Sequence, residues 1–481
     1  MSADRLYRYI ARIVIEFKTP FLVAGGRCGM EADAAFVADA NGLPTIPGSS
    51  IAGALRDAFS KTTVGKEKTP DGIKNVDDLF GFQLGASGNG SRLTVSWACI
   101  HDSRNVPVEG LIPETYIESD PVLKLARLAV PRPHVKINDK GGPEDKGLFH
   151  EIHVAAGNRF TFELMLEGSD KDDTIWETLL NLVRSIRLGG KTRRGYGSFS
   201  ATIHQAAYDL TTPAGFEAFC KHPVSFRGSH ALQHLPKQEG QKGASHYATA
   251  TLALVPEGFW MIGGGVDPEA DMSPMKEMYV SWPNDIGTVS ERFVIPGSSV
   301  KGVLAHRVAF HYNALSGKVV RYNNETGKWE KPQDENGASP IGESNEAVRQ
   351  LFGECLDHGV KGEQKGRRGR VMIDDCYLPA EPVRKILNHV SIDRYTAGSR
   401  DGMLFNERPF YKGEVPALEI TFDTSEEIDK KVRVALERAL DDLVSGRLAI
   451  GSGTGRGNGF FGEGSKVEWN TTGKAWIGGE R

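Results

Sequence analysis

Two short stretches place a glycine turn and two serines ahead of an apolar pattern: Ile46-Pro47-Gly48-Ser49-Ser50 and Ile295-Pro296-Gly297-Ser298-Ser299. A glycine turn that opens a helix offers free backbone N–H groups and the positive end of the helix dipole, a pairing that suits a phosphate. Gly48 or Gly297 would make the turn, and a following serine would cap the helix. Cations lie close by: Arg56 in the first stretch, Lys301 and Arg307 in the second. Later, "KTRRGYG" supplies Lys191, Arg193 and Arg194, and "GTGRGNG" supplies Arg456. Glycine lets backbone approach a nucleic acid closely, and arginine contacts phosphate. Taken singly, each stretch reads as a tight turn with solvated charge. Recurrence beside Arg and Lys favours phosphate binding.

The elements that must position these residues also recur. After each turn the spacing is helical: Ile51, Ala54, Leu55, Ala58 and Phe59 share a face, as do Val300, Val303, Leu304 and Val308. Upstream, "RYIARIVIEFKTPFLVAGG" matches "ATATLALVPEGFWMIGGG". Downstream, "DLFGF" matches "QLFGE", and "SRLTVSWACI" matches "GRVMIDDCYL". Next, "VKINDKGGPEDKGLFHE" matches "VSIDRYTAGSRDGMLFNE", and "RSIRLGGKTRRGYGSF" matches "SGRLAIGSGTGRGNGFF". Ordered matches with drifting offsets mean a duplicated domain whose copies carry different loops. The expected division is a first domain over 1–229, a linker over 230–246 and a second domain over 247–481, with an insertion at about 316–346 that is partly a hairpin around Asn324. Each copy reads strand, helix, strands, hairpin arm, strand, helix, glycine-rich loop, strand. That is an α+β pattern of the ferredoxin-like (RRM-like) βαββαβ kind.

Bulk composition narrows the classes. The 481 residues are 39% hydrophobic and 25% charged, with a net charge of −4, so nucleic-acid binding must rest on local patches. Five separated cysteines form no C-x-x-C pair, which gives no zinc cluster or disulfide framework. No apolar run reaches the ~20 residues of a membrane span, and the N-terminus reads as a strand, not a signal peptide. A cytoplasmic location is expected. "GNGFFG" fits G-x-G-x-x-G but follows a helix pattern and opens none, which excludes the dinucleotide reading. The densest basic run, "GVKGEQKGRRGR" over 359–370, is a solvated loop or a contact for RNA or a neighbour.

The ordered set "GG…IPGSS-x-x-G-x-L", "FG", "RL/RV", "IDRYTAG…G-x-L" and the glycine-rich tail resembles the RAMP superfamily of CRISPR systems. More narrowly, it resembles the backbone subunit of type III effector complexes, in the double-domain form of the type III-D branch. The resemblance implies a cytoplasmic ribonucleoprotein of antiviral defence. In it the chain binds CRISPR guide RNA, stacks between other effector subunits, and wedges the duplex of guide and single-stranded target RNA with thumb hairpins. It also implies endoribonuclease cleavage of the target at an aspartate on a glycine-rich loop, assisted by a divalent metal such as Mg²⁺.

Carried onto this sequence, the glycine pair is Gly25-Gly26 with Arg27 beside it, and the cleaving and metal-binding aspartate is Asp33; Asp39 reads as a turn residue. In the second copy two anchors disagree: matching "FV" to "YV" puts Lys276 opposite Asp33, while counting from the middle glycine gives Asp271. Cleavage is therefore expected in the first domain, and the second either cuts at Asp271 or holds RNA without cutting it. The thumbs carry Ile137 in the first copy, and Ile392 with Arg394 in the second; Asn138 and Asp139 replace the Asp-Arg of the second thumb. Three alternatives stand beside cleavage. One is a purely structural guide-RNA scaffold. Another is a histidine-dependent enzyme that processes CRISPR precursor RNA, although no histidine recurs at a matched position (His134, His150 and His306 stand alone). The third is an enzyme binding a small phosphate ligand.

Overall fold

A computed structural model describes residues 6–28, 32–69, 72–85, 87–128, 130–138, 142–169, 172–228, 232–236, 247–330, 342–354 and 366–478; the side chains of 26–28, 32–35, 143, 329 and 343 lie outside that description. The first half runs β1 (Tyr7–Phe17), the hairpin β2–β3 (Ala24–Cys28, Ala32–Phe36), α1 (Gly48–Phe59), α2 (Asn75–Phe80), β4 (Leu93–Val95) and β5 (Cys99–Ile100). The arm hairpin β6–β7 follows (Val130–Ile137, Pro143–His153), then β8 (Arg159–Gly168), α3 (Asp173–Val183) and β9 (Phe199–Asp209). The central strands pair antiparallel in the order β9-β1-β8-β4, with β5 also on β8. Ile51, Leu55, Ala58 and Phe59 of α1 and Trp176, Leu179, Leu180 and Val183 of α3 are buried in one core with this sheet. Short β10 (Gln233–Leu235) adds to the outer edge of β9. The segment expected as a linker over 230–246 therefore begins as a strand of the first sheet; 237–246 lie outside the described residues.

The second half repeats the plan. It runs β11 (Tyr247–Ala253), the hairpin β12–β13 (Gly263–Asp267, Ala270–Pro274), a further hairpin β14–β15 (Lys276–Ser281, Thr288–Ile295), α4 (Gly297–Leu315), α5 (Glu346–Phe352) and β16 (Val371–Ile373). The second arm β17–β18 follows (Leu387–Ile392, Ser399–Glu407), then β19 (Leu418–Asp423), α6 (Lys430–Val444) and β20 (Lys466–Trp469). The sheet order β20-β11-β19-β16 is that of the first half, around a second core. The insertion contains a hairpin, Arg321–Asn323 with Lys328–Glu330, and 331–341 lie outside the described residues.

The repeated IPGSS turn has a packing cause. Gly48 and Gly297 are the first helical residues, after Pro47 and Pro296, and no side chain caps either helix, contrary to the serine cap expected from sequence. A Cβ on Gly48 would stand 2.1 Å from the Val95 carbonyl oxygen, and one on Gly297 2.1 Å from that of Ile373. In both halves the helix starts against the end of the strand that follows it, and only glycine fits there.

The longer loop of the second copy is also explained. Its extra residues form β14–β15, which docks on the first half. Val280 packs with Val122, Leu125 and Ala155; Trp282 donates to the Gly157 carbonyl at 2.7 Å; and Arg159 pairs with Asp285 at 2.8 Å.

Candidate nucleic-acid interface

In each half three elements converge: the short hairpin, the base of the arm and the glycine-rich loop. The loop has the same conformation twice. Gly189, Gly195 and Gly197 have φ of +91°, +102° and +79°; their counterparts Gly451, Gly457 and Gly459 have +100°, +90° and +80°. The loop amide of Gly190 donates to Leu22 at 2.7 Å, and that of Ser452 to Met261 at 2.8 Å, both just ahead of the short hairpin.

The hairpin register settles which residue answers Asp33. In the first half Ala24 faces Phe36, Gly26 faces Ala35 and Cys28 faces Ala32; in the second Gly263 faces Pro274, Gly265 faces Ser273 and Asp267 faces Ala270. Asp33 stands two residues before Ala35 and Asp271 two before Ser273, so they are equivalent. Lys276 instead opens β14 opposite Phe293. The Asp33 side chain, like those of Gly26 and Arg27, lies outside the described residues, while its strand is described. Gly25 is exposed at the start of β2. Asp271 is exposed; its carboxylate accepts from the Asn406 amide of the second arm at 2.9 Å, and its own amide donates to the Asn406 side chain at 2.8 Å. Asp39 is the turn residue expected, accepting from the amides of Asn41 and Leu43.

The predicted cations divide into two groups. Lys191 and Arg194 reach Glu151 at the base of the first arm, at 3.0 and 2.5 Å, and Arg456 reaches Glu407 at the base of the second, at 2.7 Å. The others have partners elsewhere. Arg56 pairs with Asp77 at 2.9 Å. Arg193 donates to the Gly369 carbonyl of the second half at 2.5 Å. Lys301 donates to the Phe352 carbonyl at 3.3 Å. Arg307 pairs with Asp442 at 2.6 Å, joining α4 to α6.

Ser49 is exposed and Ser50 half-buried; Ser50, Gly53, Thr192, Arg193 and the second half's Arg368 line one groove of about 470 Å³. Ser298 and Ser299 are half-buried, but the amide of Gly297 donates to Asp375 at 2.7 Å. The second helix N-terminus therefore already holds an internal carboxylate. In the basic run 359–370, residues 359–365 lie outside the described residues, Arg368 pairs with Asp57 of the first half at 3.5 Å, and Arg370 is bound to Glu426.

The arms carry exposed apolar side chains on matched positions: Val135, Ile137 and Leu148 on the first, Val390, Ile392 and Leu404 on the second. Arg394 lies in the exposed tip of the second arm, and Asp139 falls outside the described residues.

Sequence reading missed one recurrence. His134 stands opposite Phe149 and stacks on it, with ring centres 5.1 Å apart; His389 stands opposite Phe405 and does the same at 4.9 Å. Their ring nitrogens lie 3.4 Å from Glu151 and 3.0 Å from Glu407. "HVKI" and "HVSI" carried the signal; matching the arms from the valine onward stepped past it.

A buried charge cluster joins the halves beside this interface. Arg132 of the first arm places Nε and Nη2 each 2.5 Å from Glu277 and Nη1 2.6 Å from Asp375, over the ring of Tyr196. Burial works against both carboxylates. Glu277, with two Arg132 contacts and the Tyr377 hydroxyl, ends below its ordinary range, while Asp375 is pushed up to about 6. His153 lies in the same cluster, facing Arg132, Glu277, His134 and Glu151. Burial, and then Arg132, lower it to about 4; burial likewise lowers His101 to about 4.

Unfolded histidine takes its proton near pH 6.5, whereas these two stay neutral in the fold. Each therefore contributes stability that is fully present above pH 6.5 and is lost as pH falls from 6.5 towards 4, on the order of 3 kcal/mol per group. Denaturant midpoints measured between pH 7.5 and 4.5 should fall below pH 6.5, the two histidines outweighing Asp375, whose raised carboxyl acts in the opposite sense below about pH 6. His153→Gln should flatten that slope; an unchanged slope would refute the assignment.

A comparison with curated proteins finds no match. The family model of the RAMP superfamily matches residues 14–200 and 260–462, one span in each half of the duplication. With most of both halves covered, the chain belongs to the RAMP superfamily.

Proposed function

We propose that this chain is a CRISPR-associated RNA-binding subunit, and more narrowly the double-domain backbone subunit of a type III effector complex. In this reading each half is one ferredoxin-like RAMP domain that holds guide RNA, each arm wedges the guide–target duplex, and each half cuts target RNA. Base pairing supplies sequence specificity while the protein grips backbone and A-form shape. The observation that carries the cutting role is the register that puts Asp33 and Asp271 on equivalent hairpins, each beside an arm base and a glycine-rich loop.

The chemistry asks little of the protein, because RNA carries its own nucleophile. The 2′-hydroxyl attacks the adjacent phosphorus, its proton passes to the aspartate, and the bond to the 5′-oxygen breaks as that oxygen takes a proton from water. The products are a 2′,3′-cyclic phosphate and a 5′-hydroxyl. Asp271 is an exposed carboxylate in a site where, among the described residues, no group of three metal-ligating side chains converges. A divalent ion such as Mg²⁺ would be held there by the aspartate carboxylate alone among protein groups. Asp33 and Asp271 would hold it, and it would neutralise phosphate charge.

The test assembles the complex with guide RNA, labelled complementary target and Mg²⁺. Asp33→Ala and Asp271→Ala should each remove one cut and leave target affinity within about twofold. Persistence of every cut in the double variant would reduce the chain to a scaffold.

A further inference from the structure

The carboxylate at each arm base is built into the same four-residue cluster, and nothing in the proposed function requires it. Glu151 is 3% exposed and Glu407 is fully buried. Each binds one arginine of the glycine-rich loop, Arg194 or Arg456, and each of those arginines keeps 43% of its side chain exposed. Both guanidinium groups lie over the arm phenylalanine, Phe149 or Phe405, at 5.6 Å, and the arm histidine stacks on the same ring. Here the carboxylate is buried and the cation is left half open, at the same exposure twice.

The cluster adjoins the aspartate. Asn406, whose amide binds the Asp271 carboxylate, is the residue before Glu407, and Met272 pairs with Glu407 across the strands. A Cβ on Gly263 of the hairpin would stand 2.8 Å from the Ser452 hydroxyl of the loop, so hairpin and loop are in close contact.

We propose that Arg194 and Arg456 are the groups that bind the reacting phosphodiester at the two cleavage sites, with Glu151 and Glu407 as positioning residues that aim them. This rests on the cleavage reading above. The planar, permanently charged guanidinium matches a phosphate that gains negative charge as the 2′-oxygen adds. Burial alone would raise the Glu151 carboxyl, but His134, Lys191 and Arg194 outweigh it and hold it at about 2, so the partner stays ionised at working pH.

The two sites differ in charge. Lys191, with φ +57°, occupies a left-handed position where the second loop has Gly453, with φ +73°. A lysine there is strained, since that region favours glycine, and its ammonium is the second cation on Glu151. Among the described residues Glu407 has Arg456 and His389, with the side-chain amide of Asn458 donating at 3.3 Å in place of a lysine. The first site thus has a reserve cation that the second lacks.

Single-turnover cleavage by the assembled complex tests this. Arg456→Ala should slow the Asp271-dependent cut ~100-fold or more with target affinity within about twofold, and millimolar guanidinium should restore part of the rate. Arg194→Ala should slow its cut ~10-fold, and Lys191→Ala added to it should bring the loss to that of Arg456→Ala. Glu407→Gln should slow the second cut ~10-fold without shifting the denaturant midpoint of the arm. If Asp271→Ala abolishes the second cut but Arg456→Ala leaves its rate unchanged, the arginine assignment fails and the cleavage reading survives. If wild type makes no cut, the cleavage reading itself fails. Loss of rate in Arg456→Ala without rescue, together with a lowered midpoint, would mark Arg456 as structural and overturn the proposal.

Discussion

Replacing Arg132 with alanine is expected to destabilise the protein by about 3–5 kcal/mol, because it strips the counter-ion from two buried carboxylates at once. Glu277 is 7% exposed and Asp375 6%, and Arg132 itself is 1% exposed. Neither carboxylate can turn to water without parting the halves, so in the variant each must take a proton or remain an uncompensated charge. The deficit should therefore shrink as pH falls and the carboxylates protonate. Adding Glu277→Gln and Asp375→Asn should recover part of it at pH 7.5. Urea denaturation followed by tryptophan fluorescence measures both effects. A single variant within about 0.5 kcal/mol of wild type would show that the cluster does not hold the halves together. The same change should loosen the first arm, since Arg132 lies in β6, two residues before His134.

The second large effect comes from the smallest substitution. Gly297→Ala should cost about 2–4 kcal/mol, although alanine is the better helix former. The added methyl would meet the Ile373 carbonyl oxygen at 2.1 Å, and both partners are backbone, so α4 and β16 must separate. Separation would also stretch the bond from the Gly297 amide to Asp375, and with it the grip of Arg132. Gly48→Ala should behave alike against Val95. Within the same two helices Gly53 and Gly302 have nothing within 4 Å of an added Cβ, so Gly302→Ala should raise stability by about 0.5–1 kcal/mol. Opposite signs for one substitution in one helix separate close approach from helix propensity. Equal effects at Gly297 and Gly302 would refute the packing account of the repeated turn.

The sequence by itself determined the duplication, the order of elements in each copy and the helix faces. Apolar spacing is a local consequence of helix and strand geometry: Ile51, Leu55, Val300 and Leu304 are buried where their periodicity put them. It also marked Gly48 and Gly297 as special and brought Arg194 and Arg456 into the candidate site.

What it could not give was which charge meets which. Arg307 and Arg193 follow a glycine motif in sequence, while Asp442 and the Gly369 carbonyl reach them from segments far along the chain. The serines after the glycines looked like caps, but the glycine amide of the second copy is taken by Asp375, which lies just beyond the end of β16. The match of Asp271 to Asp33 was ambiguous by counting, because β14–β15 lengthens the second loop; only the pairing register resolves it. Ion pairs and strand register are long-range contacts, set by where the folded chain brings side chains together. That is why tertiary structure alone decided which cations stay exposed.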